Sequence, residues 1–330
     1  MANHTQTHDE QVSWQVDGID VHATLTRPEG DGPFPAVLFI AGSGPTDRDW
    51  NTPLLPGTNG SAALLAQELT ARGFITLRYD KRASGPHVQE NLPRMIGKIS
   101  MQAHTDEAAG GVRLLAARED VDPRRLFVLA NSEGCIHALN YQVQAGSLPF
   151  AGIILTAPPA RPMSAVARAQ IAAQVTPIPG GEAWLAAYDA AIADFVANRP
   201  VNVPADLPEG IRMLLIGLTN PVNQPFSGEL WATDLMQTLR RIQQPVLVVI
   251  GKKDIQVDWQ ADGSLIAELA KTHPNIHVAF PENANHVLKY EPLERAQLNA
   301  AQASSSYNAE GARLDDEALQ AILAWLDARR

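Results

Sequence analysis

The sequence predicts an α/β protein: a mostly parallel, twisted sheet flanked by helices, with one inserted helical segment. Three observations predict it. Short apolar runs bounded by Gly and Pro recur at 36–41, 74–79, 126–130, 153–156 and 246–250, with a weaker one at 276–280. Such runs read as strands buried on both faces of a parallel sheet. Amphipathic helical patterns separate most of them, and regular alternation of strand and helix winds right-handed. Between 161 and 241 the alternation stops, and helical pattern with Pro-rich breaks continues without a convincing strand.

The elements follow in order. Residues 13–17 and 19–26 alternate apolar with polar, as a hairpin-like start does, until Gly and Pro break the chain at 30–35. Residues 61–72 carry Leu64, Leu65 and Leu69 at helical spacing and stop at Gly73, and 104–118 carry Val112, Leu114 and Leu115. In the insertion, 182–198 align Trp184, Tyr188, Ile192 and Phe195 along one helical stripe. That stripe either packs the insertion or roofs an apolar pocket. The polar stretch 291–313, with Ser304-Ser305-Ser306, reads as a mobile loop or lid margin. Residues 315–330, with Leu319, Ile322, Leu323 and Trp325, read as a docked terminal helix. The expected division is a core of 1–161 and 241–330 with a helical cap at 162–240.

Composition excludes several classes. Of 330 residues, 45% are hydrophobic and 19% charged, which suits a globular chain and neither a disordered nor a fibrous one. Twenty-six basic against 36 acidic residues give −10, so nucleic acid and anionic membrane surfaces are poor partners. The single Cys135 supports neither an intrachain disulfide nor a thiolate zinc cluster. The first ten residues lack a basic start and an apolar run, and no stretch approaches the ~18 apolar residues of a membrane span. A cytoplasmic protein without metal or cofactor is expected. Its oligomeric state is open, a homodimer included.

The chemistry gathers at three strand ends. In Ala130-Asn131-Ser132-Glu133-Gly134 a serine stands between a strand and a helix. There a strained turn pushes the hydroxyl out of the sheet, and small neighbours leave the turn room. A serine hydroxyl needs a base, and the base needs an orienting carboxylate. Asp254 follows the strand 246–250, with Asp258 its nearby competitor, and His286 follows the strand 276–280. The other histidines do not fit. His4 and His8 lie in a tail, His22 and His277 alternate within strands, His87 and His104 precede the serine, His137 sits on the elbow helix, and His273 precedes the last strand. After the first core strand, Gly42-Ser43-Gly44 exposes backbone N–H groups. The Ser43 and Glu133 amides are the candidate donors to a developing oxyanion. A plain turn or a phosphate cradle competes with that reading, although no Gly-Lys-Ser/Thr follows.

These residues, with Gly251-Lys252-Lys253-Asp254, Arg78-Tyr79-Asp80-Lys81-Arg82 and the loop Gly42-Ser43-Gly44-Pro45-Thr46-Asp47-Arg48-Asp49, resemble the α/β-hydrolase superfamily. Within it, the chain is similar to bacterial serine carboxylesterases with a G-S-G-P-x-D-R-D loop. Ala130 stands where the elbow motif has its first glycine. The resemblance implies Ser132 as nucleophile, His286 as base and then acid, Asp254 as its orienter, and a cofactor-free esterase acting on a small-molecule ester. Asp47, Arg48, Asp49, Asp80 and Arg82 are expected to pin loops. Gly42, Gly44, Trp184, Tyr188, Phe226 and Trp231 are candidate substrate contacts. Some similar sequences are acyl-CoA thioesterases or peptidases. A non-catalytic binding protein of the same fold is the remaining alternative.

Overall fold

The computed structural model describes residues 8–83 and 85–330, without the side chains of residues 300, 301 and 304. The tail with His4, and the reading of the first residues as neither leader nor anchor, fall largely outside the described residues.

Eight strands form one sheet: β1 (His8–Val16), β2 (Ile19–Arg27), β3 (Phe34–Ile40), β4 (Ile75–Tyr79), β5 (Val121–Asn131), β6 (Gly152–Thr156), β7 (Val246–Val249) and β8 (Ile276–Ala279). Their order is β1-β2-β4-β3-β5-β6-β7-β8. β1, β2 and β4 pair antiparallel, and every pairing from β4 through β8 is parallel. The β1–β2 hairpin closes at Asp17-Gly18, both at positive φ, a turn whose twist matches the flanking strands. His8 thus belongs to β1 and not to a tail.

Helices α1 (Ser61–Ala71), α2 (Val88–Met95), α3 (Met101–Ala116) and α4 (Gly134–Gln144) precede β6. Five more, α5 (Met163–Val175), α6 (Gly181–Val196), α7 (Glu209–Thr219), α8 (Phe226–Ala232) and α9 (Leu235–Leu239), lie between β6 and β7. α10 (Gly263–Ala270), α11 (Ala300–Tyr307) and α12 (Asp316–Asp327) complete the described helices. Period-two alternation divides the strands between two cores. Val37, Phe39, Leu129, Ile154 and Val249 face Leu65 and Leu69 of α1 and Ile322 and Leu326 of α12. Leu38, Ile40, Val128, Leu155 and Val248 face Val112 of α3, Leu139 of α4, Leu239 of α9 and Ile266 of α10. Both faces are therefore dry, which is why the core strands read as unbroken apolar runs.

The stretch between β6 and β7 builds a core of its own. Ile171 and Val175, Tyr188 and Ala191, and Ile211 and Leu215 pack together, with Trp184 and Ile192 against them. The insertion is anchored at both ends. Arg161 forks onto the buried carboxylate of Asp262 (Nη2 to Oδ2, 2.7 Å). At α8, Glu229 accepts the Met101 N–H at 2.7 Å, and the Phe226 N–H reaches the Ile99 carbonyl at 3.0 Å.

Two sequence expectations change. α3 starts at Met101 and not at 104, because the Ser100 hydroxyl accepts the Ala103 N–H at 3.0 Å and caps the helix one turn earlier. The polar stretch 291–313 is not a plain loop. It contains a short 3-10 turn at Arg295–Gln297 and then α11, whose last carbonyl, of Tyr307, accepts a 2.7 Å bond from the buried Lys289 ammonium. Its polarity hid the helix, since among the described side chains of α11 only Ala303 and Tyr307 join the apolar cluster under it.

Gly110 makes a test of this packing. A helix interior ordinarily prefers Ala over Gly by about 1 kcal/mol. Here a Cβ would stand 2.1 Å from the Trp14 ring, whose Nε1 donates to the Glu107 carbonyl at 3.1 Å. Gly110→Ala is expected to destabilise by roughly 1–3 kcal/mol. A urea titration should show a lower midpoint at unchanged slope.

Candidate active site

β3 and β5 are neighbours, and Ile40 pairs with Ala130. Their carboxyl ends therefore deliver the Gly42–Gly44 loop and Ser132 to the same place. Ser132 sits at φ 55°, a left-handed conformation that costs a non-glycine residue roughly 1–2 kcal/mol. Surrounding bonds fix it. The Ser132 N–H donates to the Thr156 carbonyl of β6 at 2.8 Å, and its own carbonyl accepts the Cys135 N–H at 3.0 Å. Gly134 lies where a Cβ would stand 2.6 Å from the carbonyl oxygens of both Ile40 and Ala41. A Cβ on Gly42 would stand 3.1 Å from that of Ser132. The turn and the loop touch backbone to backbone.

Two strand ends further along, Asp254 and His286 meet: His286 Nδ1 lies 2.8 Å from Asp254 Oδ2. Asp254 is fully buried, and its other oxygen accepts the N–H groups of Gln256 (2.7 Å) and Val257 (3.0 Å). A carboxylate so held accepts from Nδ1–H, leaving Nε2 as the basic nitrogen. Gly251 lets the two loops approach, because a Cβ there would overlap the Ala284 carbonyl. Arg295 binds the Asp254 carbonyl and the Asp258 carboxylate, so Asp258 braces the loop while Asp254 meets His286. The Asn131 amide donates to the His286 carbonyl at 3.1 Å and to Thr156 Oγ1 at 3.1 Å, which ties the histidine loop to the serine turn.

The loop after β3 is clamped by charge. Arg48 places Nε 3.0 Å from Asp80 Oδ2, and its backbone N–H meets Asp80 Oδ1 at 2.7 Å. Arg78 pairs with Asp49. Asp47 accepts the N–H groups of Asp49 (2.8 Å) and Asn51 (2.9 Å). These side chains hold the loop's path, the role a rigid donor site requires of its surroundings.

Beneath the loop lies a buried ionic cluster. Arg82, almost wholly buried, donates to Glu107 (Nε, 2.9 Å) and to the carbonyls of Val16 (2.7 Å) and Ala103 (3.2 Å). Glu107 also bonds His104 Nδ1 at 3.1 Å, and His104 stacks on His137 with ring centres 4.7 Å apart. His137 Nε2 donates to Glu133 at 3.3 Å. Burial alone would push both carboxyls up. His104 and Arg82 outweigh it at Glu107, and His137 and Lys81 at Glu133, holding each at about 2. Burial pushes His137 below the usual imidazole range. The Lys81 ammonium, also buried, reaches the Gly42 carbonyl and, at 3.2 Å, that of Gly44.

The structure thus brings Ser132, Glu133, Gly42, Ser43 and Gly44 together at one end of the sheet and pairs His286 with Asp254. It places the insertion's aromatics otherwise. Tyr188 is buried in the insertion's own core beside Trp184, Trp231 meets the edge of Phe195 at 6.3 Å, and Phe226 packs against His104 and His137. Cys135 is buried and burial pushes its thiol well up, as for a packing residue. Among the described residues no group of three or more His, Cys, Asp or Glu is placed to hold a metal, and no helix is long and apolar enough to cross a membrane. Sequence reasoning missed Lys81, His104, Glu107 and Arg295. The helical spacings His104/Glu107 and Glu133/His137 were the available signal.

Residues 37–298 match the model of the Alpha/beta hydrolase family. Esterase EstD of Thermotoga maritima is 26% identical over 287 residues. That alignment takes in 84% of this chain but only 60% of the relative's length. Among solved structures, a 2,6-dihydroxy-pseudo-oxynicotine hydrolase superposes with a TM-score of 0.54 at 17% identity, over 96% of this chain and 69% of that one. An acylaminoacyl peptidase of Pyrococcus horikoshii gives 0.52 at 13%, over 85% and 38%. At these identities the structures speak for the fold alone.

Acid should loosen this centre in a defined window. Glu107 and Glu133 fall from an ordinary 4.5 to about 2 on folding. Their contribution is therefore complete above 4.5 and lost as pH falls towards 2. Thermal midpoints measured across that range should drop, and Glu107→Gln should flatten the drop. For the turn itself, Gly134→Ala should lower the urea midpoint by more than 2 kcal/mol equivalent, since rigid carbonyls and not a flexible side chain meet the new methyl.

Proposed function

The chain belongs to the alpha/beta hydrolase family, and from that premise we propose that it hydrolyses carboxylic esters of small molecules through a Ser132–His286–Asp254 triad. One observation carries the reading. Asp254 and His286, 32 residues apart in sequence, are bonded at 2.8 Å, and Asn131, next to the left-handed Ser132, holds the His286 carbonyl at 3.1 Å, in the Ser, Asp, His order of this fold. The likeness to a bacterial esterase supports the same chemistry.

In the proposed reaction His286 Nε2 takes the Ser132 proton as Oγ attacks the ester carbonyl. Asp254 holds the ring's tautomer and balances the imidazolium. The oxyanion is held by the N–H groups of Ser43 and Glu133, each worth on the order of 3 kcal/mol in the transition state. Collapse releases the alcohol with the proton from His286 and leaves an acyl-enzyme. Water then attacks, His286 again taking and returning the proton, and the acid departs. Every step uses groups of this chain. The insertion, residues 162–240, serves as a cap, and its Phe226 packs on the histidines of the buried cluster.

A graded p-nitrophenyl ester series, acetyl to long acyl, tests this. Wild type should turn over, Ser132→Ala should fall to background, and Asp254→Asn should lose roughly 10⁴-fold in kcat. Undiminished turnover in Ser132→Ala would sink the proposal. Phosphonate labelling of Ser132 without ester turnover would redirect it to thioesters or peptides.

A further inference from the structure

Lys81 is a buried cation with no part in the triad. It follows β4, and β4 pairs parallel with β3 in a register that sets Arg78 beside Phe39. Three residues further along each chain, Lys81 comes beside Gly42. The residue is 4% exposed, and its ammonium donates to the carbonyls of Gly42 and Gly44. Burying an ammonium is costly unless its charge is balanced and its protons are accepted. Two carbonyls accept its protons, and burial pushes the ammonium below the usual lysine range against the negative charge that Glu133 from the serine turn and Glu107 from α3 supply. The same pocket holds His137 of α4 and His104 of α3, while neighbouring Asp80 and Arg82 are taken up by Arg48 and Glu107.

The direction of the bond matters more than its strength. In a trans peptide the C=O of residue 42 and the N–H of residue 43 lie in one plane and point in opposite directions. Drawing the Gly42 carbonyl down to Lys81 turns the Ser43 N–H away from the cluster and outward. Glycine at 42 leaves that peptide free to swing, and Ser43 is exposed on its outer side. A charged donor fixes such a peptide more firmly than a neutral one.

We propose that Lys81 is the positioning residue of the oxyanion hole, holding the Gly42–Ser43 peptide so that its N–H faces the carbonyl oxygen of a substrate bound at Ser132. This rests on the reading of Ser43 as an oxyanion donor. Lys81 touches no substrate. It acts on the transition state through the loop and leaves ground-state binding alone.

The test measures kcat and KM for one p-nitrophenyl ester, and affinity for a trifluoromethyl ketone, in wild type, Ser132→Ala, Lys81→Met and Lys81→Met/Glu133→Gln. The expected result for Lys81→Met is a 10- to 100-fold loss in kcat, KM within about twofold, and a matching loss of ketone affinity. The double variant should stay slow, because the orientation of the peptide is still lost. Recovery in the double variant would mean that the damage came from the unbalanced Glu133 carboxylate, and would overturn the proposal. So would a folded Lys81→Met with wild-type kcat or with a loss confined to KM. If Lys81→Met does not fold, Lys81→Gln, one bond too short to span both carbonyls but still polar, is judged by the same kcat criterion. Wild type beside Ser132→Ala separates the two levels. Without Ser132-dependent turnover the hydrolase reading and the Lys81 role both fall, whereas Ser132-dependent turnover untouched by Lys81 substitution removes only the latter.

Discussion

The close approach of two backbones at Gly134 is the constraint on which the candidate site depends. Carbonyl oxygens of Ile40 and Ala41 occupy the space a side chain would fill. That contact lets β5 turn into α4 directly beside the end of β3. The left-handed Ser132 follows from the sharpness of this turn, and the nearness of Ser132 to the Gly42–Gly44 loop follows from the strand order. Strain at one residue is tolerable because the bonds from Thr156 and Cys135 determine the same geometry twice over.

A second constraint is electrostatic. Arg82, Glu107, His104, His137, Glu133 and Lys81 form a continuous line of buried polar groups from β1 to the serine turn. The cationic side chains of Arg82 and Lys81 stand against the carboxylates of Glu107 and Glu133, to which His104 and His137 are bonded. Such a cluster adds little to stability compared with apolar packing, but removing any one member leaves the others uncompensated. It therefore gives rigidity and a fixed loop more than it gives free energy. Phe226 rests on its histidines, so the insertion is seated on the same cluster that underlies the loop.

Much of this was legible in the sequence, for physical reasons. Strands buried on both faces must be apolar at every position, so 36–41 and 126–130 announced β3 and the inner part of β5 without ambiguity. The serine turn was visible through Gly134, where no side chain fits, and Asp254 and His286 because loops at strand ends are short. What escaped was what depends on long-range contact. Nothing local marks Lys81 as buried, since its partners Gly42, Glu133 and Glu107 come from three other elements. Arg295 binds a carbonyl of Asp254 across 41 residues. Of the stripe Trp184, Tyr188, Ile192 and Phe195, the first three enter the insertion's core with α5 and α7 while Phe195 meets Trp231 of α8, a division that period alone could not give.

The pairing of Ser132 with His286 is tested by mass-spectrometric mapping of the adduct formed with a serine-directed phosphonate, in wild type and in His286→Ala. One adduct is expected, on Ser132, formed with wild type and strongly slowed without the histidine. A label on another residue, or labelling of Ser132 at the same rate in His286→Ala, would contradict it.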